Sequence, residues 1–168
     1  TNILDKIHLG QPYSLAGGSY FSNVYYDNGE KQAMCIRTPL ASIKTNKTKY
    51  LDLLFNCDVD SEYQTFLEKF EEVVKKSIME KMEEWFESSF DEETLDYLMQ
   101  PVTRDFRKLN FISRIYIEND ANGVQIYDSN QKNLSVGDIN EKDDVIVLLL
   151  CKGIKITSQS ITLVLLAK

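Results

Sequence analysis

One stretch of helical periodicity sits inside a chain that otherwise reads as short strands, and this interruption limits the folds open to it. From Glu62 to Glu87, apolar side chains fall at Tyr63, Phe66, Leu67, Phe70, Val73, Val74, Ile78, Met82, Trp85 and Phe86. Steps of three and four residues gather them on one stripe of an α-helix, with acids and lysines outside. Ser61 is the predicted N-cap, and acids open the helix where its dipole favours them. A second, shorter helix is expected to start at Ser89-Phe90-Asp91-Glu92, a capping-box pattern, and to run to about Met99 before Pro101 stops it.

Both flanks carry strand signals. "SYFSNVYY" (19–26) is rich in aromatic and β-branched residues, Asn28-Gly29 is a hairpin turn signal, and "QAMCIRT" (32–38) is the expected return strand, stopped by Pro39. A loop carrying Lys44, Lys47 and Lys49 then leads to "YLDLLF" (50–55), which completes an antiparallel meander. After the connector "QPVTRDFRKLN", the segments "FISRIYIEN" (111–119), "DANG" and "VQIYD" (124–128) predict another hairpin. "VIVLLLC" (145–151) is apolar at consecutive positions, as in a central strand buried on both faces. "GIKITSQSITLVLLAK" reads as a strand, a turn at Ser158-Gln159 and a final strand.

About eight strands with one helical pair after the third predict an α+β, mainly β fold. The architecture expected is a small, closed or partly open OB-like β-barrel, of the oligonucleotide/oligosaccharide-binding kind, with the amphipathic helices inserted at 61–99. Closure would shelter the apolar edges of 145–151 and 160–167. Residues 1–18, with Gly10, Pro12, Gly17 and Gly18, are expected to form an N-terminal arm, and 19–168 a single domain.

The chemistry of most enzymes is missing from this sequence. There is no Gly-x-x-x-x-Gly-Lys-Ser/Thr loop, no His-Glu-x-x-His and no Gly-x-Ser-x-Gly. His8 is the only histidine, and Glu83-Glu84 and Glu92-Glu93 sit on a solvated helical face where desolvation cannot shift them. Cys35, Cys57 and Cys151 are odd in number and scattered, which argues against a zinc knuckle or a disulfide framework and fits a reducing compartment. The expectation is a protein that is not an enzyme, with no cofactor and no metal. No apolar run is long enough to cross a bilayer, so no membrane is expected.

Charge then points to a surface. The chain carries −7, but residues 58–98 hold 14 acids against four lysines, and the rest holds 12 acids against 15 bases. The acidity belongs to the helices, and the strand-forming part is slightly basic. Single-strand binding needs a basic groove and exposed rings on which bases stack. The wider field of candidates includes Tyr26, Arg104 and Lys108. The binding set drawn from it is Tyr20, Tyr25, Arg37, Lys44, Lys47, Lys49, Tyr50, Arg107, Arg114, Tyr116, Lys152 and Lys155. Alternation along strands turns about half of the rings inward.

The order of motifs resembles a family. "GGSYFSNVYYDNG", "IRTPL", "KYLDLLF", "WFESSFDEETLDYLMQPV", "VQIYDSNQKNLSVGDI" and "VIVLLLCKGIKITSQSITLVLLAK" together cover about residues 17–168. They are similar to the single-stranded DNA-binding-like proteins of large nucleocytoplasmic DNA viruses, related to the podophage single-stranded DNA-binding proteins. The resemblance implies an OB-like barrel that protects or organises single-stranded DNA in viral replication or recombination. It places the protein in the host cytoplasm or the virion, with viral replication or capsid proteins as partners and room for homo-oligomers. An aromatic residue that such proteins tend to carry near Lys155 is absent here. The rival expectation is a capsid-associated structural protein on the same barrel; a third is an adaptor that meets a polymerase through its acidic helices. With a net charge of −7, binding to single-stranded DNA is expected to be weak and salt-sensitive.

Overall fold

The computed structural model describes residues 3–27, 30–86, 91–118 and 123–168. The Asn28-Gly29 turn, the Ser89-Phe90 start of the capping box and most of "DANG" lie outside the described residues. In chain order the strands are β1 (Ile7–Leu9), β2 (Tyr13–Ser14), β3 (Tyr20–Asp27), β4 (Lys31–Gln32), β5 (Met34–Arg37), β6 (Ala41–Asn46) and β7 (Tyr50–Asn56). The helices α1 (Ser61–Trp85) and α2 (Glu92–Leu98) follow. Then come β8 (Thr103–Phe106), β9 (Asn110–Tyr116), β10 (Ile126–Tyr127), β11 (Asn133–Leu134), β12 (Asp144–Val145), β13 (Leu148–Ile156) and β14 (Ile161–Ala167). The fold is α+β and mainly β, with the helical pair set between two blocks of strands.

Several elements depart from the sequence expectation. The supposed arm is part of the fold: Leu4, Ile7 and Leu9 are buried, and β1 pairs antiparallel with β3. The basic loop contains a strand, β6, and the connector after the helices contains β8. Only β4 returns along β3, whereas β5 pairs with β13. β9 pairs with β7 and β8, and β10 instead joins β11 in a separate two-stranded sheet. "VIVLLLC" is not one buried strand. Ile146 and Leu148 are 50% and 52% exposed, because the chain breaks its ladder where Val147 exchanges bonds with Thr38: Thr38 N–H donates to the Val147 carbonyl, and Val147 N–H to Thr38 Oγ1.

Two compact units divide the chain. The first comprises Thr1–Met34, Phe66–Val102 and Cys151–Val164. Its strands follow the order β1-β3-β13-β14, with β2 and β4 on β3. The α1 stripe of Leu67, Phe70, Val74, Ile78 and Met82 is no more than 3% exposed, as its spacing predicts. Burial of each such side chain contributes roughly 1.5–3 kcal/mol. Asp91 caps α2 by accepting from Thr94 N–H at 2.8 Å. Lys75 of α1 holds Glu92 at 3.1 Å and also Asp96, one turn further along α2. Beyond α2, Gln100 N–H donates to the Ile161 carbonyl at 2.9 Å, and Val102 N–H donates to the Glu71 carboxylate at 3.0 Å.

The second unit comprises Cys35–Thr65, Thr103–Leu150 and Leu165–Lys168. Its strands follow the order β14-β9-β7-β6-β12, with β8 on β9. Phe55 and Phe111 stack at 5.1 Å in its core. The first helical bond of α1 runs from Gln64 N–H to the Asp60 carbonyl, so Asp60 rather than Ser61 opens the helix. Its carboxylate accepts from Asn56 N–H at 3.0 Å, while Asn56 Oδ1 accepts from Asp58 and Val59 N–H.

Two outcomes follow from the first unit. A Cβ on Gly153 would lie 2.1 Å from the Ser22 carbonyl oxygen and 2.6 Å from Phe21 Cε1. Gly153→Ala is therefore expected to force β13 off β3 and to lower the urea unfolding free energy by about 2–4 kcal/mol. Burial pushes the Glu71 carboxyl up from its ordinary 4.5, against the lowering effect of Val102 N–H. A raised folded-state pKa means that the protonated form stabilises below 4.5 and that this contribution is lost as pH rises. Glu71→Gln should accordingly show a higher urea midpoint than wild type at neutral pH, with the difference closing as pH falls through that range.

Candidate nucleic-acid interface

The site grows from one register. β7 and β9 pair antiparallel over seven positions, from Tyr50↔Tyr116 through Asp52↔Arg114 and Leu54↔Ile112 to Asn56↔Asn110. Residues directly opposite share a face, and alternate residues share it along each strand. Leu51, Leu53, Phe55, Phe111, Ser113 and Ile115 therefore point into the core, where each is at most 3% exposed. The opposite face carries Tyr50, Asp52, Arg114 and Tyr116. β8 extends it, because Arg104 pairs with Ile112 and Phe106 with Asn110.

β6 supplies the other side. The register shifts between Ile43 and Thr45, so Lys44 is the extra residue of a bulge. With Ile43 turned into the core, Lys44 is directed onto the face that holds Asp52. Its Nζ lies 5.2 Å from the Phe106 ring centroid, although β7 and β9 intervene between their strands. Strands spaced about 4.8 Å apart would separate β6 from β8 by roughly 14 Å. Lys44 and Phe106 thus lean toward each other across the face of β7 and β9.

Arg107 completes the group from the turn between β8 and β9. Its backbone is left-handed, φ 53°, and its guanidinium carbon also lies 5.2 Å from the Phe106 ring centroid. Two cations thus flank one phenyl ring. Among the described residues, neither Lys44 nor Arg107 has a carboxylate within ion-pair range.

At the centre lies an acid. Arg114 Nε donates to Asp52 Oδ1 at 2.8 Å and Nη2 to Oδ2 at 3.2 Å, a bidentate pair. Arg104 Nη2 approaches Asp52 Oδ2 at 3.7 Å. The guanidinium of Arg114 also lies over Tyr50, its central carbon 3.9 Å from the ring centroid. Hydrogen bonding to the Asp52 carboxylate raises the Arg114 pKa further above its already high value. The cation–π contact and the bidentate pair together hold this arginine in place, although 38% of its side chain is exposed.

The predicted set divides between the units. Lys44, Tyr50, Arg107, Arg114 and Tyr116 share the face of the second unit that holds Asp52, with Tyr50 and Tyr116 at one end of β9 and Arg107 at the other. Lys47 and Lys49 are exposed in the tight turn from β6 to β7, which closes where Lys47 N–H donates to the Tyr50 carbonyl. Arg37 is exposed at the end of β5. Tyr20, Tyr25, Lys152 and Lys155 belong to the first unit. There Lys155 pairs with Phe21 in register, and Lys152 Nζ lies 5.8 Å from the Phe21 ring centroid. Tyr25 shares that strand face, with Lys31 Nζ 5.8 Å from its ring centroid. Tyr20 lies five residues away from Tyr25 on β3 and so faces the other side.

Phe106 and Asp52 are the residues that sequence reasoning passed over, and Arg104 was left outside the binding set. A period-two reading of "TRDFRKLN" would have placed Arg104 and Phe106 on one face of a strand. Asp52, two residues after Tyr50 in "YLDLLF", is the one charge in an apolar run. Among the described residues, no group of three His, Cys, Asp or Glu side chains could hold a metal ion, and no helix is long and apolar enough to cross a membrane.

Arg114→Ala would leave Asp52 buried with only the loose Arg104 contact. Urea unfolding is expected to show a loss of about 1–3 kcal/mol with an unchanged m-value. Arg114→Lys should recover part of it, since charge is kept while the planar fork and the stack are lost. No protein-family model matches the chain, and no curated protein sequence matches it.

Proposed function

We propose that this chain is a non-enzymatic viral single-stranded DNA-binding protein acting in DNA replication or recombination, built on an OB-like barrel with an inserted helical pair. The observation that carries this reading is the face of β6, β7, β9 and β8 in the second unit that holds Asp52 and Arg114. It carries Lys44, Arg104, Arg107 and Arg114 with the rings of Tyr50, Phe106 and Tyr116; Asp52 lies among them, and Asp144, opposite Ser42, lies on the same face at its β12 side. Cations on such a face contact phosphates, and rings beside them take bases. Each stacked base contributes about 1–3 kcal/mol without sequence preference. The resemblance in motif order supports the viral setting, in the host cytoplasm or the virion.

The acidic helices shape the binding without making it. Their own surface, with 14 acids and four lysines over residues 58–98, repels nucleic acid. Affinity is weak and falls with salt at about 0.7 log units per log unit for each phosphate neutralised.

A structural role in a capsid or replication assembly is favoured by a different observation. Leu40, Ile146 and Leu148 are all at least half exposed in the second unit. Leu148→Glu separates the two readings: a binding protein keeps its oligonucleotide affinity, whereas an assembly protein loses its self-association in sedimentation.

Titration of a fluorescein-labelled oligo-dT, with anisotropy read at low and moderate salt, tests the leading reading. Wild type should bind at low salt and weaken as salt rises. Phe106→Ala should bind roughly 5- to 100-fold less tightly with the salt slope unchanged, since it removes stacking and no charge. No binding by wild type even at low salt would overturn the reading.

A further inference from the structure

The acid at the centre of the basic face has no use in holding phosphate. A carboxylate there repels the strand, and a buried ion pair seldom stabilises a fold more than apolar residues of the same size would. Asp52 nevertheless has only 8% of its side chain exposed and serves two arginines unequally. Arg114 is locked: two hydrogen bonds at 2.8 and 3.2 Å and a ring at 3.9 Å leave it no freedom. Arg104 is loose. Its one approach of 3.7 Å is longer than a hydrogen bond, and 55% of its side chain is exposed.

We propose that Asp52 is a competitor for the phosphate backbone: Arg104 leaves Asp52 to grip a phosphate of the bound strand, while Arg114 stays on Asp52 as part of a fixed stacking shelf with Tyr50. The inference rests on the single-stranded DNA reading and deepens it. A phosphate offers Arg104 the bidentate, charge-assisted geometry that Asp52 does not give it. Among the described residues Lys44 and Arg107 have no such acid to leave, so they meet the strand with their charge uncommitted. Asp52 thus lowers the affinity of the face and gives Arg104 a place to return to on release. It is a positioning residue, acting through the two arginines and not through contact with DNA.

The test is a double-mutant cycle on oligo-dT affinity and its salt slope. Asp52→Asn keeps an oxygen to accept from Arg114 Nε but removes the charge that holds Arg104. It should bind about three- to tenfold more tightly at low salt, with a salt slope steeper by up to roughly 0.7. Arg104→Ala should bind less tightly, with a slope shallower by about 0.7. In the double variant most of the Asp52→Asn gain should vanish, because the arginine it frees is gone.

A gain that persists in full without Arg104 would overturn the exchange, as would an Asp52→Asn protein that is folded by circular dichroism yet binds no better than wild type. If Asp52→Asn does not fold, Arg104→Ala decides alone: a slope equal to wild type overturns the proposal. Absence of binding by wild type itself would instead overturn the nucleic-acid reading, and this inference with it.

Discussion

The β7–β9 register is the constraint on which both the core and the site of the second unit depend. Seven consecutive antiparallel pairs, with no irregularity, decide which residues of each strand face inward. One outcome of that decision is a layer of leucines, isoleucines and phenylalanines packed around the Phe55–Phe111 stack. The other is the alignment of Tyr50 with Tyr116 and of Asp52 with Arg114 on the open side. A slip of one residue would exchange the two sets, burying a bidentate ion pair and exposing the core. Hydrophobic burial therefore enforces the geometry of the charged face, although it makes no contact with it.

Around that register the chain uses irregular backbone to aim its cations. The bulge at Lys44 turns this lysine across the face toward Phe106, and the left-handed Arg107 brings a guanidinium back over the ring of the preceding residue. Left-handed conformations are uncommon in residues other than glycine, and they cluster where the surrounding structure enforces them. Both devices converge on Phe106. The first unit has its own, separate grouping of rings and lysines along β3 and β13, where Gly153 allows the strands to approach without a side chain between them.

The long helix was legible because its signal is redundant: ten apolar residues at helical spacing leave little room for another reading. β3, β7, β9 and the turn after β13 were legible for similar reasons of composition and punctuation. Short elements were not. β1 has three residues and is followed at once by Gly10 and Pro12, so its burial of Ile7 and Leu9 gave no strand pattern. β8 was hidden by its charges, since Thr-Arg-Asp-Phe alternates against β9 through partners that no local pattern reveals. The continuous apolar run at 145–151 misled in the opposite sense, because composition does not show where a ladder breaks. At the site, the basic residues were visible one by one. Asp52 and Phe106 were not, because their roles arise from pairing across strands distant in sequence.

Chemical-shift mapping tests whether nucleic acid lies, as proposed, on the face of the second unit that holds Asp52 and Arg114. Amide and arginine side-chain resonances of the isotope-labelled protein would be followed as oligo-dT is added at low salt. The account predicts that the largest shifts fall on Lys44, Tyr50, Arg104, Phe106, Arg107 and Tyr116, with the amides of α1 and α2 nearly unmoved. Shifts centred on the helices, or confined to the exposed Leu40, Ile146 and Leu148, would contradict it.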